Sequence, residues 1–152
     1  MTNTSSNICF VVNTLSQYLV KPIWVHLIAA KHGMYLKGTT DLGLYYGRDH
    51  DYILYGYADS DFAGSATYRK STLGGCYCLG STMISWFSKK QPSVSLNTIE
   101  AENIASCSTS CEAIWIQKLM SGLYDIELDT TVILCDNHSY IKMTKNLVFH
   151  DK

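Results

Sequence analysis

Neither sign of charge dominates this chain: 12 lysines and arginines against 13 aspartates and glutamates leave a formal net charge of −1. That balance excludes a broad basic coat of the kind that wraps DNA non-specifically. A polyanion would have to be held by a local cluster of cations or by metal ions. Charged residues are also scarce, at 16% against 47% apolar, which excludes a disordered polyelectrolyte and points to a globular protein. No C-x-x-C pair occurs among the six cysteines, at 9, 76, 78, 107, 111 and 135, and no histidine stands at zinc-finger spacing from them. They are expected to be small buried hydrophobes in a reducing compartment. The N-terminus lacks a basic stretch followed by an apolar core, so no signal peptide is expected. No apolar run approaches the roughly 18 residues of a membrane span. These absences predict an intracellular protein, cytoplasmic or nuclear, with no membrane partner. Repeats and low-complexity segments are missing too.

What is present is enough for one domain, or one domain with an appendage. A chain of this size hides roughly 70% of its unfolded surface. Ile8, Val12, Leu15 and Leu19 recur at helical spacing over residues 8–20. Pro22 fits the first turn of a second helix with Trp24, Leu27, Ile28 and Tyr35 on one stripe, and Gly38 as its stop. After Gly47 the pattern changes. Tyr52–Asp59 reads as a strand ending in the turn Asp59-Ser60-Asp61, and Gly74–Gly80 and Met83–Ser88 read as an antiparallel hairpin. Asn97 and Glu100 form a capping-box signature for a long helix with Ile104, Ser108, Cys111, Trp115 and Leu119 inward and Gly122 near its end. Thr131–Cys135 is a short strand that delivers Asp136, and a last helix runs from about Ser139 to Lys145. A three-strand meander is thus followed by a helix that crosses over to a strand able to lie parallel to the first.

Such a crossover would set the ends of the first and fourth strands side by side, with Asp59 and Asp136 about one strand spacing apart, about 4.8 Å. Two carboxylates that close repel, and a divalent cation with a preference for oxygen ligands removes the conflict. The rival reading is that both are ordinary turn residues, since Asp is common where strands end. On the helix, Glu100 and Glu102 are about 200° apart and cannot both face one ion. Periodicity does not choose between them, and it leans slightly to Glu100. Trp86, Phe87 and Trp115 read as core residues, and His138 as part of the helix that follows it.

The stretches Gly56-Tyr-Ala-Asp-Ser-Asp-Phe-Ala-Gly64, Arg69-Lys-Ser-Thr72, Ile84-Ser-Trp-Phe-Ser-Lys-Lys-Gln91, Thr98-Ile-Glu-Ala-Glu102, Leu134-Cys-Asp-Asn-His-Ser139 and Asn146-Leu-Val-Phe-His150 occur in order. Together they resemble the ribonuclease H region of copia-type LTR retrotransposon Pol polyproteins. Upstream, Val12-Asn-Thr-Leu-Ser16, His26-Leu-Ile-Ala-Ala-Lys31 and Tyr35-Leu-Lys-Gly38 resemble the end of the reverse transcriptase that precedes it. The resemblance implies a helical, reverse transcriptase-like region over residues 1–48 and an RNase H-like domain over residues 49–152, incomplete at its C-terminus. The implied fold is α/β: a mixed sheet with an antiparallel three-strand meander, a parallel fourth strand, and helices.

By that resemblance Asp59, Glu102 and Asp136 are the catalytic metal ligands, with Asp61 part of the motif but not a direct ligand. The cofactor implied is Mg²⁺ or Mn²⁺, two ions in the intact family, and the substrate is an RNA–DNA hybrid. One ion would activate water and the other would stabilise the leaving 3′-oxygen. RNA would be told from DNA through its 2′-hydroxyls. Arg69, Lys70, Lys89 and Lys90 are candidates for phosphate contacts, with an ordinary solvated surface as the rival reading. The rest of the polyprotein is the other implied partner. Departures from the family are Asn103, where an aromatic is usual, and Asn97, where serine is usual; a last strand, a last helix and a fourth acid are also expected beyond this sequence. The isolated polypeptide is therefore expected to be weak or inactive. The alternative is a non-catalytic, degenerate transposon remnant with at most nucleic-acid binding. A D-x-D phosphatase or sugar transferase is disfavoured because a hairpin follows where those folds need a helical crossover.

Overall fold

Alternation of side chains along the central strands decides how the layers stack. In the computed structural model, which describes residues 6–32, 43–47, 52–65 and 68–146, strand β1 (Leu54–Asp61) buries Leu54, Gly56 and Ala58 on one face. Strands β2 (Thr72–Leu79) and β3 (Thr82–Lys90) follow as an antiparallel hairpin, turning through Gly80 at φ 58°, a conformation that glycine adopts without strain. The long helix α3 (Thr98–Tyr124) crosses one face, and strand β4 (Val132–Leu134) returns parallel to β1. The sheet order is β3-β2-β1-β4. This is the mixed α/β sheet that the strand pattern predicts.

The core lies between α3 and the sheet. Leu54, Tyr77, Ala113 and Ile116 are buried together, with Leu79, Ile84, Phe87 and Ile133 packed against them. Tyr77 is fully buried, and its hydroxyl donates to the Thr109 carbonyl at 2.8 Å. Burial pushes the Tyr77 pKa far above the ordinary tyrosine range. The side of α3 that faces the sheet is Ala101, Ala105, Thr109, Ala113 and Ile116. The predicted inward stripe is therefore rotated: Cys111 and Trp115 are exposed, and Ile104, Ser108 and Leu119 are only half-buried. Small residues let the helix backbone approach the twisted sheet, and the bulky ones are left at the flank. Cys107 is exposed as well and the other four cysteines are only half-buried, so the expectation of buried cysteines fails.

Two further expectations shift. The run Asp59-Ser60-Asp61 is not a turn but the last part of β1, held by pairing to Gly74, Leu73 and Thr72. The chain reverses only afterwards, at Ala63 with φ 54°. Near the N-terminus, α1 (Ser6–Ser16) ends before Leu19, which is 75% exposed, and α2 (Trp24–His32) begins two residues after Pro22. Trp24, Leu27 and Ile28 are exposed, so that stripe does not form core among the described residues. Tyr35, Gly38 and the stretch 147–152 lie outside the described residues. Helix α1 packs on β3, and the Asn13 amide donates to the Ser88 carbonyl. Helix α4 (His138–Thr144) closes the described chain, capped by Asn137, whose side chain accepts from the Tyr140 amide at 3.0 Å.

Candidate metal centre

Parallel pairing of β1 with β4 sets Tyr57 opposite Leu134. Two residues further on, the same register brings Asp59 level with Asp136. Helix α3 starts at this end of the sheet, and its second turn carries Glu102 against the same point. Asp59, Glu102 and Asp136 each offer an oxygen, and these three atoms lie within 4.8 Å of one another.

The choice between the two helix glutamates is made by capping. Asn97 accepts from the Glu100 amide at 2.8 Å, and the Glu100 carboxylate accepts from the Leu96 amide at 2.6 Å. Glu100 is thus committed to the helix start. Glu102 is only 6% exposed and turns to the aspartates, against the slight lean of the periodicity toward Glu100. Burial raises its pKa above the ordinary carboxylate value. The Asp59 and Asp136 charges add to the rise, while the Cys135 thiol and the Ser60 amide oppose it.

The Cys135 thiol donates to Glu102 Oε2 at 3.5 Å. Burial holds that thiol above its ordinary pKa despite the opposing Asn137 amide, so it stays a protonated donor. Asp59 accepts from the Ser60 amide at 2.8 Å, and the Ser60 hydroxyl is buried with no partner. Cys135 was not among the residues expected at the site; it follows the last residue of β4 and directly precedes Asp136.

The donor set suits a hard divalent cation. Three carboxylate oxygens converge, one of them buried, and their mutual repulsion is what Mg²⁺ or Mn²⁺ would relieve. Asp61 takes no part in the cluster. Its carboxylate folds over Gly64, where a Cβ would sit 1.8 Å from Asp61 Oδ2, so Gly64 is what admits that fold.

The four cations stand at the same end of the sheet, because Asp61 pairs with Thr72 and Thr72 with Lys90. Lys70 donates to the Pro92 carbonyl, and Lys90 lies 4.3 Å from the centre of the Tyr68 ring. Lys89 lies 4.7 Å from the centre of the Phe87 ring, and Arg69 is exposed in a turn with φ 53°. His138 is the first residue of α4 and exposed.

A meander followed by a helical crossover to a parallel strand, with acids at the carboxyl ends of the two paired strands and on the helix, defines an RNase H-like fold. No family model and no solved structure matches the chain. Curated relatives do. The retrovirus-related Pol polyprotein from transposon TNT 1-94 of Nicotiana tabacum is 39% identical over 99% of this chain and 11% of its own length. The corresponding polyprotein from transposon RE2 of Arabidopsis thaliana is 38% identical over 98% of this chain and 10% of its own length. A protein of Plasmopara viticola, named secreted RxLR effector protein 161, is 36% identical over 76% of this chain and 82% of its own length. The chain belongs to the copia-type retrovirus-related Pol polyproteins of transposons and spans about a tenth of the length of the plant polyproteins it matches. No helix among the described residues is long and apolar enough to cross a membrane.

Proposed function

We propose that this chain carries the hydrolytic centre of a transposon Pol polyprotein and cleaves the RNA strand of an RNA–DNA hybrid. The observation that supports this is the meeting of Asp59, Glu102 and Asp136, distant in sequence, at one oxygen-lined point. In this reading the three carboxylates hold Mg²⁺ or Mn²⁺, two ions in the intact family, which supply a more acidic water and a counter-charge at the scissile phosphate. The protein's own part is positioning. Burial of α3 against the sheet fixes Glu102, and strand pairing fixes Asp59. Arg69, Lys70, Lys89 and Lys90, at the same sheet end, hold phosphates of the substrate.

With three carboxylates at the site, a first cation is held more firmly than a second, and this reading expects slow turnover. The test is cleavage of an end-labelled hybrid in Mg²⁺ and in Mn²⁺, with cation binding measured on the same protein. Slow RNA-strand cleavage that disappears in Asp59→Asn is the expected result. Absence of cleavage, together with cation affinity indifferent to Asp59, overturns the proposal.

A further inference from the structure

Between α1 and the carboxyl end of β3 runs a groove that the acid triad does not account for. Two adjoining clefts, of about 200 and 90 Å³, share Thr14, Gln17, Thr72 and Lys90. The first also reaches Lys89 and the second Lys70. A larger cleft, of about 400 Å³, over the sheet face that carries Tyr57 and Asp59 adjoins them, with Thr72 lining all three. The run of clefts thus extends from Asp59 to the lysines. Asp61 and Thr72 mark its middle, and Lys90 lies two strands from Asp61, on the order of 10 Å.

We infer that this groove seats the sugar–phosphate backbone of one strand of the hybrid, and that α1 forms its second wall. The inference rests on the hybrid-cleavage reading and extends it to residues near the N-terminus. Its cations are held in place: Lys90 sits over the Tyr68 ring and Lys70 is tied to the Pro92 carbonyl. Held side chains lose less freedom on binding than free ones. Uncharged donors face them from α1 and the residue after it, namely Thr14 and Gln17. Asn13 pins that wall to the Ser88 carbonyl. The negative end of α1 also points this way, but the Gln17, Tyr18 and Leu19 amides donate to its last carbonyls, at 3.4, 3.0 and 3.5 Å, and reduce its repulsion of phosphate. Asp61 borders the same small cleft as Lys70 and Lys90, and Asp59 lines the larger cleft beyond it.

The experiment is fluorescence anisotropy of a labelled RNA–DNA hybrid, titrated over a range of NaCl without divalent cation. The full chain is compared with Lys70→Gln/Lys90→Gln and with Thr14→Ala/Gln17→Ala, and Mn²⁺ titration of each variant checks that the acid site has folded. Loss of two phosphate-neutralising cations lowers the slope of log K against log salt by about 1.4–1.8. Loss of the α1 donors weakens binding by about tenfold and leaves the slope unchanged. A wild-type chain that fails to bind hybrid sinks the hybrid-cleavage reading itself. Wild-type binding with an unchanged slope in the lysine variant overturns the groove, and unchanged affinity in the Thr14/Gln17 variant removes α1 from it.

Discussion

Replacing Glu102 by glutamine sets folding against cation binding, and the structure fixes the sign of both. In EDTA the buried carboxylate repels Asp59 and Asp136, with oxygens within 4.8 Å. Two unit charges at that distance cost about 0.9 kcal/mol in water and about 3.5 kcal/mol at an effective dielectric of 20. Both aspartates are exposed, which places each pair near the lower figure, so the two together cost about 2 kcal/mol. Glutamine still accepts from the Cys135 thiol and the Ser60 amide but gives up the charge assistance, which offsets roughly half of that gain.

Glu102→Gln is thus expected to be about 1 kcal/mol more stable without metal, a rise in Tm of about 2–4 °C. Because the folded pKa of Glu102 is raised, the wild-type penalty is present in full only above it. It fades as pH falls toward the ordinary carboxylate value, and the two melting curves converge there. With Mn²⁺ at about 100 times its Kd, the wild type gains about 2.7 kcal/mol and the variant gains much less, so the order reverses. Differential scanning calorimetry at pH 8, in EDTA and then in Mn²⁺, reads both effects. A variant that melts below wild type in EDTA, or that gains as much from Mn²⁺, refutes the reasoning.

The capping pair provides a contrast: Asn97→Ala should cost about 0.5–2 kcal/mol in urea unfolding while leaving Mn²⁺ affinity within twofold of wild type, about the loss of a helix cap alone. Adding a methyl at Gly75 puts a Cβ 2.4 Å from Phe87 Cε1, so Gly75→Ala should destabilise by about 1–3 kcal/mol; an unchanged urea midpoint would show that the ring swings away freely. Tyr77→Phe removes the buried hydrogen bond to Thr109 and should lower stability by about 0.5–1.5 kcal/mol. In spectrophotometric titration that variant should lose a tyrosine that ionises only when the protein unfolds, since burial holds the Tyr77 pKa far above the ordinary range.

Much of this protein is legible along the chain. Strand order, the Gly80 hairpin, the Asn97 cap and the acids at the ends of β1 and β4 follow from alternation, turn chemistry and helix-start signals that act over a few residues. Similarity of six ordered motifs carried the family. The rotated stripe of α3 has a physical origin. Hydrophobic periodicity marks where bulky residues recur, but the face of α3 that meets the sheet is set by how close the backbones can come. Ala101, Ala105 and Ala113 therefore won over Trp115 and Cys111.

The choice of Glu102 over Glu100 shows the same limit. The cap that occupies Glu100 was visible in the sequence, but the side of the helix that meets Asp59 was not. The sequence by itself determined which side chains are present and how each local segment folds. Strand order already set Asp59 beside Asp136, and the resemblance named Glu102 with them; only the tertiary structure decided that the Cys135 thiol and a row of lysines share that sheet end, because strand register is a long-range property that no local pattern contains.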